Sequence, residues 1–460
     1  MSASSSCKKK TQRRPAQASS SGDRGMPGRP LAGTPEELFR LYEAAAMQGS
    51  VDAMCNLASC YAFGKGTAKN LEKAAHWYEK AAMQGDAQAM FNLYAFHASG
   101  QGAKQDMVKA LQWCRQAAEL GLAEAQFALG VFFYEGTQVP QDRAQAALWF
   151  ENAALQGVAN AQYNLAVMHS LGEGVIQDKA KAAKWYEKAA EQGMSLAQCN
   201  LATLLQRGEG VPQDLAKAAK WYEKAALQGN AQSQFCLGAM YENGEGVNQD
   251  CARAAQWYEK SADQGYAPGQ CNLGILFVRG KGVKRNCAKG KAWLEKAALQ
   301  GNATAQFNLA CLLQDGDGVE QDLAAAAKWY GESAAQGCAE AQCNLALMLL
   351  EGRGVRKSLK KARELLQKAA EQGSDLAQYY LGEMFLEGKG CTPNPPLAAS
   401  WFMLAAMQDY AEAQYALAQI YEHGLCGAIN LSAAKMLYGK ACQNGIADAC
   451  PRWKRLGGKN

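Results

Sequence analysis

The sequence predicts an all-α solenoid built from repeats of 36 residues, because glycine returns at that interval along most of the chain. Two further positions of the repeat support this prediction. If the glycine that returns is taken as the leading residue of each repeat, all eleven repeats have leucine eight residues after it and glycine fifteen residues after it. Only Asp409 interrupts the series of leading glycines. The leading glycines are Gly49, Gly85, Gly121, Gly157, Gly193, Gly229, Gly265, Gly301, Gly337 and Gly373, and Gly445 follows the last repeat.

The first 33 residues differ from the rest of the chain in composition. They carry seven basic side chains and one acidic side chain, a net charge of +6, and they are poor in apolar residues. Because such a segment cannot bury enough surface to offset the entropy of ordering, we predict a disordered basic tail at residues 1–33. Residues 8–14 have the composition of a nuclear-import signal or of a tether for an anionic surface, and a plain solvated tail is the favoured interpretation.

Charge and hydropathy disfavour several classes of function. The whole chain carries +5, so residues 34–460 carry −1, and a near-neutral array does not favour nucleic acid as a specific partner. No apolar run reaches the roughly 18 residues that a membrane span requires. No apolar stretch follows the basic residues at the N-terminus, so we expect no secretory signal peptide and a cytoplasmic location.

Order is predicted to begin at Thr34, which can cap a helix that starts at Pro35 and form a capping box with Glu37. This helix, at residues 34–49, is an incomplete first repeat, and eleven repeats follow at residues 50–445. In each repeat, apolar residues spaced by four predict helix A over places 2 to 14, where places are counted from the leading residue. Residues 446–460 contain a predicted short capping helix and a tail.

A turn and a second helix complete each repeat. Glycine at places 15 and 17 fits a helix C-terminus and a turn that needs positive φ, and its return along the array argues against a phosphate-binding loop. Place 21 carries an N-cap residue in every repeat, and helix B follows with tryptophan at place 28 in nine of the eleven repeats. The N-cap residues are Asn70, Asp106, Asp142, Asp178, Asp214, Asp250, Asn286, Asp322, Ser358, Asn394 and Asn430.

One sequence pattern therefore runs through the repeats. It reads Ala-Gln-x-x-Leu-Gly-x-x-Tyr-x-x-Gly-x-Gly-Val-x-x-Asp followed by Ala-x-x-Trp-Tyr-x-Lys-Ala-Ala-x-Gln-Gly, and residues 197–229 carry it well. Over residues 35–456 the chain resembles the Sel-1-like repeat family, which is related to the tetratricopeptide repeats. The resemblance implies antiparallel helix pairs stacked into a right-handed superhelix. It also implies a scaffold or adaptor that binds a protein or peptide partner on its concave face.

Helix A lines the concave side in this superfamily, and two of its columns are candidates for contact with a partner. Place 7 is asparagine in seven repeats although asparagine is a mediocre helix former, and its amide can bind the backbone of an extended peptide. The alternative is that each amide bonds the neighbouring repeat and maintains stacking. Place 6 is often aromatic, and its rings form either apolar pockets for a partner or core between repeats. The candidate peptide-binding residues are Asn56, Asn92, Asn164, Asn200, Asn272, Asn308, Asn344, Phe91, Phe127, Tyr163, Phe235 and Phe307.

Places 6, 7 and 10 offer no lysine or arginine, so the grip on a C-terminal carboxylate known from related tetratricopeptide domains is not expected. The sixteen cysteines include no Cys-x-x-Cys pair, and buried free thiols are their favoured interpretation. The four histidines lie in separate repeats without a partner at metal spacing. We therefore expect neither a metal site nor a cofactor.

Cysteine-rich bacterial members of the family have been described as β-lactamases, in which a cysteine near the end of helix B pairs with one eight residues on. Only Cys442 and Cys450 have this spacing here, which leaves room for a single disulfide. The motif Ser-x-x-Lys occurs four times, but Ser-Asp-Asn and Lys-Thr-Gly, which support it in serine hydrolases of this type, are absent. We therefore expect no catalytic residue. A β-lactamase-type hydrolase is the alternative function, and a bacterial effector or host-contact factor is a third.

Overall fold

The computed structural model describes residues 33–458 of the chain. These residues form 24 helices and no strand, so the predicted all-α solenoid is confirmed. The chain divides into two compact units, residues 1–230 and residues 231–460. The predicted basic tail, with its segment 8–14, lies outside the described residues apart from Gly33.

The first unit contains one N-terminal helix and five helix pairs. Within it, each helix A packs on the helix B that follows, and each helix B packs on the next helix A. Its helices are α1 (Pro35–Met47), α2 (Val51–Phe63), α3 (Leu71–Met83), α4 (Ala87–Ser99), α5 (Met107–Glu119), α6 (Ala123–Glu135), α7 (Arg143–Leu155), α8 (Ala159–Leu171), α9 (Lys179–Glu191), α10 (Ser195–Arg207) and α11 (Leu215–Leu227).

The second unit contains six helix pairs and a short last helix, packed in the same sequential manner. The last helix agrees with the predicted capping helix. The helices are α12 (Ala231–Asn243), α13 (Cys251–Asp263), α14 (Ala267–Arg279), α15 (Cys287–Leu299), α16 (Ala303–Asp315), α17 (Leu323–Ala335), α18 (Ala339–Glu351), α19 (Leu359–Glu371), α20 (Asp375–Glu387), α21 (Pro395–Met407), α22 (Ala411–His423), α23 (Leu431–Gln443) and α24 (Ala449–Arg455).

The helix boundaries follow from local caps. In the eleven repeats helix A spans places 2 to 14 as predicted, and helix B spans places 22 to 34. The place-21 side chain accepts a hydrogen bond from the first turn of every helix B, a cap worth about 1 kcal/mol. At Asp178 the bond from the Lys181 backbone N–H measures 2.9 Å and holds the pKa of the carboxyl below its usual range. Thr34 and Glu37 form the predicted capping box.

The glycine turns allow neighbouring repeats to approach closely. A side-chain carbon at Gly102, at place 17, would lie 2.5 Å from the backbone oxygen of Leu71 in the preceding helix B. This contact explains the Gly-x-Gly turn by packing, without a phosphate ligand. At the leading place, Asp409 has a φ of 61° and is the one non-glycine residue with positive φ in the described part of the chain.

A glutamine ladder that the sequence reasoning did not identify links consecutive repeats. Gln156, at place 35, donates from Nε2 to Oε1 of Gln126, at place 5, at 2.8 Å. Gln126 in turn donates to the backbone oxygen of Ala118 in the preceding repeat at 3.2 Å. Because the Gln126 side chain is buried, these bonds satisfy polar groups that would otherwise be costly to bury. The same place-5 and place-35 bond joins Gln162–Gln192, Gln198–Gln228, Gln234–Gln264, Gln270–Gln300, Gln306–Gln336, Gln342–Gln372 and Gln378–Gln408.

Candidate peptide-binding site

Two of the seven place-7 asparagines bond a tyrosine of the preceding repeat. Asn272 donates from Nδ2 to the hydroxyl oxygen of Tyr258 at 3.0 Å, and Asn344 donates likewise to Tyr330 at 3.2 Å. Both tyrosines are buried at place 29, and burial raises the pKa of each hydroxyl. These two amides therefore contribute to stacking, which is the alternative interpretation of the asparagine column.

The remaining asparagines have different surroundings. Asn308 donates from Nδ2 to the backbone oxygen of Thr304 in its own helix at 2.8 Å. In the first unit Asn56 and Asn92 are buried, whereas Asn164 and Asn200 are half-buried. The place-7 asparagines therefore differ in burial, and Asn308 differs from Asn272 and Asn344 in the bond that its amide donates.

The place-6 aromatic residues pack against helix B of their own repeat. The ring centroids of Phe307 and Tyr330 lie 5.9 Å apart, and those of Phe235 and Tyr258 lie 5.8 Å apart. Phe127 and Tyr163 make the equivalent contacts with place-29 rings at 5.7 and 5.9 Å. Except for Phe91, which is buried, these predicted residues are half-buried. The four half-buried rings thus support their helix pairs and remain partly exposed.

One pocket in the second unit brings three of the predicted residues together. Asn272 of α14 and Phe307 and Asn308 of α16 line a pocket of about 540 Å³. Ile275 and Arg279 extend its α14 wall. Half-buried amides, an aromatic ring edge and an aliphatic side chain therefore meet in one concave site, which is the usual composition of a site for a peptide or small ligand.

The charged side chains of this pocket were not predicted. Arg279 stands at place 14 and is exposed. Glu242 also lines the pocket, where it accepts a bond from the Tyr258 hydroxyl at 2.9 Å and pairs with Lys281 at 3.1 Å. Places 7, 10 and 14 share one face of helix A. Reading place 14 together with places 6, 7 and 10 would therefore have found Arg279.

Comparison with known proteins identifies the repeat. The model of the Sel1 repeat matches residues 39–50 and then eleven consecutive segments of 36 residues from 51 to 446. The chain belongs to the Sel1 repeat family. Its helices superimpose on the solved structure of c5321, a protective antigen of uropathogenic Escherichia coli with an SLR fold. The TM-score is 0.78 at 34% sequence identity, and the match covers 91% of this chain and 90% of that one.

A second solved structure, a Sel1 repeat protein from Oxalobacter formigenes, is also 34% identical. Its TM-score is 0.54, and the match covers 68% of this chain and 92% of that one. The comparison with curated proteins finds no match. Within the Sel1 array described here, no helix is long and apolar enough to cross a membrane.

In this Sel1 repeat array Cys442 and Cys450 form a disulfide between the end of α23 and α24, with Cα atoms 4.9 Å apart. The other thirteen cysteines of the described residues are free thiols. Burial raises the pKa of the Cys114, Cys271 and Cys343 thiols to about 12. Since the thiolate is the reactive form, these buried groups serve packing rather than chemistry.

The four Ser-x-x-Lys motifs begin at Ser5, Ser6, Ser358 and Ser432. Ser358 caps α19, where its hydroxyl accepts a bond from the Lys361 backbone N–H at 3.5 Å. Ser432 lies in the first turn of α23, and Ser5 and Ser6 are outside the described residues. Across residues 33–458, no group of three or more His, Cys, Asp or Glu side chains is arranged to hold a metal ion.

Proposed function

We propose that this Sel1 repeat protein is a scaffold that binds an extended segment of a protein partner along the A-helix face, without catalysis. The observation that carries the proposal is the pocket formed by Asn272, Phe307, Asn308 and Arg279. Sel1 repeat solenoids are in general a protein-interaction fold, which supports a binding role for this pocket.

The chemistry of the pocket suits an extended peptide backbone. Asn272 and Asn308 each use Nδ2 within the protein, which leaves the Oδ1 oxygens to accept backbone N–H groups of a ligand. Arg279 supplies donors for a carbonyl or carboxylate oxygen. Phe307 and Ile275 offer the apolar surface on which an anchoring side chain can be desolvated.

The test compares two asparagines that share a structural role. Asn272 and Asn344 both bond a buried tyrosine, but only Asn272 lines the pocket. A partner is captured with the full chain, and its affinity is then measured for Asn272→Ala combined with Asn308→Ala and, as the matched control, for Asn344→Ala. We expect the pocket variant to lose at least tenfold in affinity. We expect the control to lose stability without a loss of affinity.

Two results would contradict this proposal. Equal affinity of the pocket variant and the wild type would show that the pocket is not the contact. A fall in melting temperature for the pocket variant with intact binding would assign the asparagine column to stacking alone. Asn164→Ala and Asn200→Ala, in the first unit, then measure whether the partner extends beyond the pocket.

The proposal includes a cytoplasmic location, because among residues 33–458 thirteen free thiols against a single disulfide suit a reducing compartment. Cell fractionation with an antibody against the full chain tests it. Recovery of the protein outside the cytoplasm would reject this part of the proposal and leave the pocket untouched.

A second candidate function is that of a host-contact factor, favoured by the likeness to the c5321 protective antigen. Treatment of intact cells with a protease distinguishes the two. A host-contact factor on the cell surface is cleaved, whereas a cytoplasmic scaffold stays intact until the cells are lysed.

A further inference from the structure

Three tyrosines come together at two consecutive A helices of the second unit. Tyr379 and Tyr380 stand at places 6 and 7 of α20, and Tyr410 is the N-cap residue of α22. The ring centroid of Tyr379 lies 5.3 Å from that of Tyr380 and 5.3 Å from that of Tyr410. All three side chains are half-buried, so the rings pack on one another and still present surface to solvent. We call these three residues the tyrosine cluster.

Carboxylates lie beside the tyrosine cluster. Glu383, at place 10 of α20, accepts a hydrogen bond from the Tyr379 hydroxyl at 2.6 Å, and Glu412 is exposed in the first turn of α22. Burial first, then Glu383 and further groups that include Glu412, raise the pKa of the Tyr380 hydroxyl. Burial, followed by Glu412, raises the pKa of Tyr410 to about 12. The two carboxylates therefore act on the same cluster.

The described part of the chain supplies no cation to this cluster. No lysine or arginine of residues 33–458 lies over the three rings. Two cations of neighbouring turns have partners of their own, since Lys389 pairs with Glu387 and Arg353 pairs with Glu351. The face of an aromatic ring carries partial negative charge and attracts a cation. The rings and their carboxylates thus form a negative surface that lacks a counterion.

The C-terminal end of the same unit shows which cation suits such a place. There the guanidinium carbon of Arg452 lies 5.5 Å from the ring centroid of Tyr415, and the same side chain pairs with Glu422 at 3.2 Å. Tyr415 follows Tyr379 by one repeat of 36 residues, and Arg452 follows Ala416 by the same interval. Because Ala416 ends in a methyl group, its repeat supplies no guanidinium to Tyr379.

The tyrosine cluster also stands two repeats after the pocket of the proposed function. Phe307 of that pocket corresponds to Tyr379, and Arg279 corresponds to Glu351. The A-helix face therefore exchanges an exposed arginine for an exposed glutamate over two repeats. Charge complementarity then selects a basic side chain at the cluster.

We propose that the tyrosine cluster, with Glu383 and Glu412, binds an arginine side chain of a protein partner. A guanidinium stacks flat on an aromatic ring and donates two parallel hydrogen bonds to a carboxylate, so it uses both kinds of group at once. The extended segment that carries the arginine is that of the proposed function, on which this site rests, whereas the residues of the site are separate from those of the pocket.

The probe for the test is a synthetic peptide of about ten residues, which spans about 35 Å when extended. Arginine alternates in it with glycine and serine, and a fluorophore allows anisotropy measurements with the full chain. Two further peptides carry lysine or glutamine in place of arginine. We expect the lysine peptide to bind about threefold more weakly, because an ammonium neither stacks flat nor donates bidentately. We expect the glutamine peptide not to bind.

Two variants remove the two kinds of contact. Tyr380→Asn restores the residue that α14, α16 and α18 carry at place 7, so we expect it to fold, and loss of a cation–π contact is expected to weaken binding about fivefold. Glu412→Gln changes an exposed side chain and is expected to weaken binding by a similar factor. The matched control is Glu124→Gln, the exposed place-3 glutamate of α6 in the first unit, which is expected to bind as the wild type does.

A third variant supplies the cation from within the chain. Ala416→Arg places a guanidinium one repeat before Arg452, and we expect it to block the arginine peptide and to raise the melting temperature. Ala416→Gln has no charge and is expected to leave the melting temperature unchanged. The Asn272→Ala and Asn308→Ala variant of the pocket is expected to bind the arginine peptide as the wild type does, so failure of the pocket and failure of this site are distinguishable.

Several outcomes would overturn this assignment. These are no binding of the arginine peptide, equal binding of the glutamine or lysine peptide, or wild-type affinity in both Tyr380→Asn and Glu412→Gln. A loss in the pocket variant alone would move the arginine to the pocket. Tighter binding by a chain in which serine replaces Lys8, Lys9, Lys10, Arg13 and Arg14 would identify the chain's own basic segment as the occupant instead of a partner.

Discussion

Asn272 and Arg452 occupy the same place in the repeat, seven residues after a leading glycine, but their surroundings differ. Asn272 donates to the Tyr258 hydroxyl, and that hydroxyl donates to Oε2 of Glu242 at 2.9 Å. Glu242 pairs with Lys281, whose side chain is 43% exposed. This chain of contacts leaves Asn272 at the edge of a pocket.

At the end of the unit the same three places hold the last helix in position. Arg452 donates from Nη1 to the Tyr438 hydroxyl at 3.1 Å, and Tyr438 donates to Oε2 of Glu422 at 2.6 Å. Arg452 also pairs directly with Glu422 at 3.2 Å, and Arg455 adds a second ion pair to the same carboxylate. With arginine in place of the amide, this position takes part in an ion-pair network that connects α24 to Glu422 of α22.

The same repeat position therefore lines a pocket at Asn272 and holds the last helix at Arg452, depending on the side chain and on the helix that follows. Glu422 is only 10% exposed, and the hydrogen bond from Tyr438, followed by the two arginines, holds its pKa below the usual range. Burial first, and then the bond to Glu422, raises the pKa of Tyr438 to about 12. These contacts join Arg452, Tyr438 and Glu422 to one another.

The largest expected effect comes from removing the disulfide that joins α23 to α24. Cys450→Ser opens a short loop between Cys442 and Cys450, and loop-closure entropy predicts a loss of about 2–3 kcal/mol. Hydrogen exchange of α24 peptides is the measurement, with Cys338→Ser, a free half-buried cysteine, as the control. A reductant is expected to reproduce the effect in the wild type and to change nothing in Cys450→Ser. Unchanged exchange in the variant would show that the ion pairs alone hold the helix.

A second variant removes the Glu422 carboxylate, which Arg452 and Arg455 share at the C-terminal end of the second unit. Glu422→Gln removes a carboxylate that is 10% exposed from two arginines, Arg452 and Arg455, that are 33% and 64% exposed. Because solvent screens the arginines in part, we expect a loss of about 1–2 kcal/mol in the local stability of α23 and α24. Hydrogen exchange of peptides from these helices in the full chain measures the loss. The matched variant Glu242→Gln removes one exposed ion pair, and we expect a loss below about 1 kcal/mol. Equal losses in the two variants would show that Glu422 and Glu242 contribute alike to stability.

The contribution of Glu422 to stability depends on pH. Because the pKa of Glu422 is lower in the folded protein than its unfolded value of about 4.3, its contribution to stability is complete above that pH. The contribution is lost as the pH falls through the folded pKa. The gap in urea midpoint between the wild type and Glu422→Gln is therefore expected to narrow below about pH 4. A gap that stays constant down to pH 3 or so would contradict the depressed pKa.

Much of this architecture could be predicted from the sequence, because its determinants are local. An N-cap such as Asp178 and a C-terminal glycine each act within one turn of their own helix, so both helix boundaries follow from spacing. The glutamine ladder was missed, although Gln126 and Gln156 stand in the quoted motif. Its bonds depend on which places meet in space, and spacing along the chain does not reveal them.

The candidate site was predictable only in part for the same reason. The column of asparagines indicated a face of helix A, but whether a member lines a pocket depends on the neighbouring helix. Asn344 shares the tyrosine bond of Asn272, yet it lies outside the pocket of α14 and α16. Arg452 escaped notice as a member of the column, because the short helix α24 does not continue the repeat pattern.

The smallest expected effect concerns Asp409, the one leading residue of the eleven repeats that is not glycine. Its φ of 61° costs energy that glycine avoids, so Asp409→Gly should stabilise the last repeats by about 0.5–1 kcal/mol. The gain is reduced because Asp409 Oδ1 accepts a weak bond from Gln414 Nε2 at 3.3 Å. The reverse change, Gly373→Asp, places an aspartate at a φ of 96°, and we expect a loss of about 1–2 kcal/mol. Urea midpoints of the two variants measure both values. If Asp409→Gly lowered stability, the bond to Gln414 would outweigh the backbone strain. Asp409 would then stabilise the C-terminal repeats.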